Sequence, residues 1–206
     1  MPFLLRVELP DIPGSLGRVA SAIGEAGGDI EAIEIVEHRA DGTAVDDVLL
    51  ELAQGMMPDS VVSACNTLED VEVLWISRYA AGGNLFLDLE AVEELTAQPD
   101  EALDRLIDLL PATFRADWGA RLRRNADGTT AVLHATGAAP EFLDWHDLKR
   151  AERVPSADEN NVVAACPLVD DEIVVIARRG GPDILDSELA RLGHLTALAV
   201  SIFRNA

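Results

Sequence analysis

The run Pro10-Asp11-Ile12-Pro13-Gly14-Ser15-Leu16 constrains this chain more than any other stretch. Two prolines in four residues cannot continue a β ladder, because proline has no amide hydrogen to donate. The residues before it, Phe3-Leu4-Leu5-Arg6-Val7-Glu8-Leu9, are apolar and β-favouring and read as a strand. After it, Ser15 is placed to cap a helix, and Leu16, Val19, Ala20 and Ile23 succeed it at i, i+3, i+4 and i+7 as one apolar stripe. Gly27-Gly28 ends that helix, where left-handed dihedrals cost little. The run is therefore a tight passage from strand to helix.

The residues from Ile30 to Asn84 extend the pattern in the same way, element by element. Ile30 to His38 reads as a second strand, with a slip in side-chain alternation at Ile35-Val36 that either a bulge or a strand end would explain. Ala40-Asp41-Gly42-Thr43 is a hairpin turn of the Asp-Gly type, and Val45 to Leu52 returns as a third strand. Pro58-Asp59-Ser60 opens a second helix with Val61, Ala64, Cys65 and Leu68 on one face, and Val71 to Ser77 closes the set as a strand. Strand, helix, strand, strand, helix, strand is the ferredoxin-like split βαβ order. Ala80-Ala81-Gly82-Gly83-Asn84 reads as a linker, which divides the chain into 1–79 and 80–206.

Asp-x-Pro-Gly-x-Leu opening an amphipathic helix, with Gly-x-Ile opening the next strand, resembles the ACT domain. The resemblance covers about the first third of the chain. It implies pairing of two copies, and in many members a free amino acid bound at the paired interface through this loop. Carried over by position, the loop residues are Asp11, Ile12, Pro13, Gly14, Ser15 and Leu16, with Asp29 and Ile30 at the start of the second strand. Amino-acid-binding members often carry Asn where this chain has Asp29. Asn both donates and accepts hydrogen bonds, whereas ionised Asp only accepts, so Asp29 suits an ammonium and repels a carboxylate. The turn alone could also be structural, with Pro13-Gly14 tight and Ser15 a cap.

In 80–206, helical patterns cover Asp88 to Ala97 and Asp100 to Leu110. Trp118 to Arg124 and Thr129 to Ala135 flank a hairpin at Asn125-Ala126-Asp127-Gly128. Glu141 to Val154 is mixed and is expected to hold a helix ending near Pro155. Val162 to Val169 and Glu172 to Arg179 flank Asp170-Asp171, and Asp186 caps a last helix with Leu189, Leu192, Leu195, Thr196, Leu198 and Ala199 on its apolar face. This is an α+β domain with a central antiparallel sheet, and it resembles a GAF-type sensor domain. Such domains often enclose a pocket, for which Trp118, His134, Trp145, His146 and Cys166 are the residues of interest, each equally at home as core filling.

Composition narrows the function. The 206 residues carry 37 acidic against 16 basic side chains, a net charge of −21, which repels phosphates and argues against direct nucleic-acid binding. No apolar run approaches the ~20 residues a spanning helix needs, and the N-terminus lacks a signal-peptide pattern; a cytoplasmic protein is expected. Two distant cysteines, Cys65 and Cys166, read as buried thiols, not as a disulfide or a zinc site. The four histidines form no readable metal or triad spacing, and Gly24-Glu25-Ala26-Gly27-Gly28 lacks the residues of a phosphate loop. The expectation is a non-catalytic regulatory protein without cofactor or metal. It would bind a small metabolite, an amino acid first among candidates, between paired ACT-like domains; the alternative is a ligand-free assembly module.

Overall fold

Alternation along the first strand sets the first sheet. In the computed structural model, which describes residues 2–78, 84–156 and 158–206, β1 spans Pro2–Pro10 and turns Phe3, Leu5, Val7 and Leu9 into one core. The helices α1 (Ser15–Glu25) and α2 (Pro58–Asn66) close that core with Val19, Ile23, Val61 and Cys65. With β2 (Gly28–His38), β3 (Thr43–Leu52) and β4 (Glu72–Arg78) the sheet order is β2-β3-β1-β4, antiparallel throughout. The register slips between Ile35 and Glu37, where the sequence alternation fails. Each fully buried aliphatic side chain here contributes roughly 1.5–3 kcal/mol. On the opposite face, Arg6 and Asp47 stand directly across from each other and form a buried two-pronged pair at 2.7 and 2.9 Å.

The chain divides into two compact units, Met1–Ala81 and Gly82–Ala206. Of the linker expected at Ala80 to Asn84, residues 80–83 lie outside the described ones, as does the boundary drawn between 79 and 80, while Asn84 is the first residue of a helix. In the second unit, α3 (Asn84–Ala97), a 3-10 turn (Pro99–Glu101), α4 (Ala102–Phe114) and α5 (Asp186–Arg204) lie on one face of a sheet. That sheet is formed by β5 (Trp118–Arg124), β6 (Thr130–Ala135), β7 (Glu152–Val154), β8 (Asn161–Pro167) and β9 (Glu172–Arg179), in the antiparallel order β6-β5-β9-β8-β7. β9 sends Val174 and Ile176 towards the helices and Ile173, Val175 and Ala177 to the far face. Both sides are covered, which is why the strand reads as a continuous apolar run.

Three local expectations change. Glu141 to Val154 holds no helix: 136–151 runs without helix or strand, and β7 begins at Glu152. Its apolar residues Leu143, Trp145 and Leu148 do not share one helical face, since Leu143 stands two residues from Trp145 and five from Leu148, and they pack on the far face of the sheet. The helix expected to stop at Leu110 continues through Pro111 to Phe114. Pro111 has no N–H for the Ile107 carbonyl, and Gly119 packs there: a Cβ on it would stand 3.1 Å from that oxygen. Asp186 does not cap α5. Leu185 is the N-cap residue, its amide donates to Glu188 at 2.9 Å, and Asp186 pairs with Arg153 instead. Buried Arg178 donates to the Phe114 carbonyl and to Glu188, tying β9 to the end of α4 and the start of α5.

Among the described residues no helix is long and apolar enough to cross a membrane.

Candidate functional site

The passage from β1 to α1 is held by backbone. Asp11 N–H donates to the Gly42 carbonyl at 2.8 Å, Ile12 N–H to Pro10 at 2.9 Å and Ser15 N–H to Ile12 at 3.2 Å. Gly14 is the N-cap residue of α1 and adopts φ +94°, a conformation that costs any residue with a Cβ. Among the described residues no heavy atom lies within 4 Å of where that Cβ would be, so the space above Gly14 is open there. Ile12 is 60% exposed at the tip of the turn.

Ser15 does not act as the cap expected of it. It is the first residue of α1, its side chain is buried, and its hydroxyl has no hydrogen-bond partner among the described residues. A second polar group is buried on the same face of the sheet: Asp46, paired across with Val7, whose Oδ1 also lacks a partner. Burial pushes the Asp46 carboxyl up to about 6, with Asp11 and Asp47 adding to the rise and His38 opposing it. His38 Nδ1 lies 2.8 Å from Asp11 Oδ2, so the end of β2 is joined to the start of the loop. From Gly14 an open groove of about 470 Å3 runs between α1 and α2, lined by Gly17, Arg18, Ser21, Ala64 and Thr67.

Asp11, Ile12, Pro13, Gly14, Ser15 and Leu16 are brought together; Asp29 and Ile30 are not, within one chain. Pro10 pairs with Thr43 at one end of β3 and Ile30 with Leu50 near the other. Seven residues at ~3.3 Å each separate them by roughly 23 Å.

In the second unit, Trp118 and His146 line a cavity of about 320 Å3 on the far face of the sheet. The other residues of interest lie elsewhere. Trp145 packs at the margin of the far-face core, with its indole N–H on Asp147 at 3.0 Å. His134 lies 2.8 Å from Asp108 of α4, and Cys166 is in the core beneath the helices. Both cysteines are buried free thiols whose pKa burial raises. Sequence reasoning missed Asn161 and Arg179 in that cavity's wall; the only signal was their place as the first and last residues of a β-hairpin, which meet across the ladder at its open end.

Residues 3–59 match the family model of the ACT domain, so the first unit carries an ACT domain. No curated protein sequence matches the chain. Among solved structures, a GAF domain from an Acinetobacter phosphoenolpyruvate-protein phosphotransferase is similar at 12% identity and TM-score 0.46, over 62% of this chain and 96% of that one. The free methionine-R-sulfoxide reductase of Neisseria meningitidis, in complex with its substrate, is similar at 11% identity and TM-score 0.46, over 62% and 94%. A protein described as a glycine cleavage system transcriptional repressor is similar at 11% identity and TM-score 0.31, over 96% and 91%. Likenesses of this size say nothing of what the chain binds or does.

Proposed function

We propose that this chain is a non-catalytic, cytoplasmic regulatory protein whose ACT domain binds a free amino acid at the Asp11–Leu16 loop, where two copies of the domain pair. The observation that carries the reading is Gly14: a positive-φ residue with open space above it, at the first turn of an 11-residue helix. The first amides of a helix have no intrahelical acceptor and attract a carboxylate. Asp11 supplies a carboxylate beside the loop for the ligand's ammonium. A second copy is what would bring Asp29 and Ile30 within reach, and Asp29 would favour the ammonium end there. A ligand that binds the pair better than the single copy strengthens pairing by mass action, and the second unit receives that change.

A thermal-shift screen against the common amino acids, run beside sedimentation of the same samples, tests this. One or more amino acids should raise the melting temperature and shift the protein towards the paired form. A paired protein that none of them stabilises would sink the reading. It would leave the second one, a ligand-free assembly module, which the sheet edge favours: among the described residues β2 has a neighbour on one side only, and an 11-residue edge of that kind invites pairing.

A further inference from the structure

The cavity in the second unit has a chemistry of its own. Its volume of about 320 Å3 lies at the lower end of the roughly 300–1,000 Å3 typical of ligand pockets. Trp118 of β5, Val163 of β8 and Val175 of β9 form an apolar floor, all three buried. Phe142, Asp144 and His146, from the 136–151 segment, line it on one side, and Ser156, Asp158 and Asn161 on another, with Arg179 completing the wall.

Two groups in that wall lack what they need. Asn161 Oδ1 is buried with no donor among the described residues, while the same amide's nitrogen donates to Asp158 Oδ2 at 3.3 Å. That contact settles which end of the amide is the acceptor, because a carboxylate cannot donate. Arg179 uses its backbone N–H on Asp117 at 2.7 Å, yet its guanidinium makes no hydrogen bond among the described residues. Asp158 lies within electrostatic reach of it. Asp158 accepts from Asn160 N–H and Asn160 Nδ2 on Oδ1 and from Asn161 on Oδ2, with no hydrogen bond from Arg179 among the described residues, so the donors of Arg179 remain open to an incoming acceptor.

Register brings the two together. Asn161 and Arg179 are directly opposed on β8 and β9, as are Val163 and Ala177 two residues on, with Trp118 paired to Ala177 from β5. Opposed side chains stand on one face with Cβ atoms about 5 Å apart. An acceptor and a cationic fork at that spacing, with a hydrophobic floor leading away along the strands, match one arrangement of atoms: an ammonium and a carboxylate on one carbon, attached to an apolar chain.

We propose that this cavity binds a free α-amino acid with an apolar side chain. Its carboxylate accepts from Arg179, its ammonium donates to Asn161 Oδ1, and its side chain lies on Trp118, Val163 and Val175. A simple amine leaves Arg179 unfilled; a simple acid leaves the Asn161 oxygen unfilled. The site is separate from the Asp11–Leu16 loop and does not depend on it.

Calorimetric titration of the full chain with L-leucine, L-methionine and L-phenylalanine, each beside its des-amino acid and its decarboxylated amine, tests the assignment. At least one amino acid should bind. Arg179→Gln should weaken it about tenfold or more, as should loss of the ligand's carboxylate, since charge-assisted pairs are the strong ones. Asn161→Leu should bring the amino acid down to the affinity of its des-amino acid. Unchanged melting curves would show that Arg179→Gln, at an exposed residue, leaves the fold intact. No binding by any of the three overturns the proposal, as does equal binding of an amino acid and its des-amino acid by the parent protein. Binding that Arg179→Gln leaves untouched also overturns it. In that last case the amino acid sits elsewhere, and the loop reading stands while this one falls.

Discussion

The two units build a recess in opposite ways. In the first, six consecutive residues form it: a strand ends, Gly14 takes φ +94°, and a helix begins. In the second, the wall is gathered from β5, β8, β9, the 136–151 segment and the connection after β7. A contiguous turn takes most of its shape from local chemistry, with only its first residue tied elsewhere, Asp11 to Gly42 and His38 of the β2–β3 hairpin. A gathered cavity exists only once a sheet has paired in one register, because a one-residue slip would turn Asn161 and Val163 to the helix side. Loss of local geometry should therefore damage the first recess and leave the second untouched, and loss of long-range packing should damage either unit as a whole.

The largest effect expected is on that packing. Arg6→Met removes the guanidinium that both oxygens of Asp47 accept from, in a place where each side chain is 2–3% exposed. Breaking a buried pair from one side costs about 3–5 kcal/mol. Hydrogen exchange should show protection lost through β1 and β3 and kept in β8 and β9, whose cores are their own. Equal loss in both units would show that the two cores unfold as one. Next comes Asp46, the neighbour of Asp47 on the opposite face. Its folded-state pKa of about 6 lies above its ordinary value of 3.8, so the folded protein binds the proton more tightly than the unfolded chain does. Stability from this group is therefore greatest below pH ~4, falls as pH rises to about 6, and is lowest above that. Asp46→Asn should raise stability by roughly 1–3 kcal/mol at pH 7.5 and change little at pH 4. Denaturant titrations at both pH values check it, and an equal change at the two would refute the assignment.

How much of this was legible in the sequence obeys the same division. Pro13-Gly14 before a stripe of Leu16, Val19 and Ile23 announces the first recess, because each residue's effect is local. The bulge near Val36 was legible for the same reason, as a break in alternation. The 136–151 segment misled, since Leu143, Trp145 and Leu148 are apolar for the sake of a sheet surface formed by strands elsewhere in the chain. Ser15 misled in a smaller way: a hydroxyl before an apolar stripe suggests a cap, but Gly14 takes that place and turns Ser15 inward. Asn161 and Arg179 could not be singled out, because their meaning lies in facing each other, and pairing partners are not written in either strand.

The smaller expected effects test the recesses themselves. Gly14→Ala forces a Cβ into φ +94° and should cost about 1–2 kcal/mol by thermal melting. Nothing within 4 Å resists the added methyl, so the whole penalty is backbone strain. Gly14→Asn, which tolerates left-handed dihedrals better, should recover part of it; a clash would instead make Asn the worse of the two. Phe142→Ser should move stability least, within about 0.5 kcal/mol, because Phe142 is 84% exposed and supports no core. Yet Phe142 lines the cavity opposite residues that come from four other elements. If that wall exists to hold an apolar side chain, the change should lower the affinity for L-phenylalanine several-fold while the melting temperature stays put. A gathered site can lose its ligand without losing its fold, whereas strain at Gly14 reaches the fold and the loop together. The two substitutions, measured side by side, separate a recess made by one turn from a recess made by a sheet.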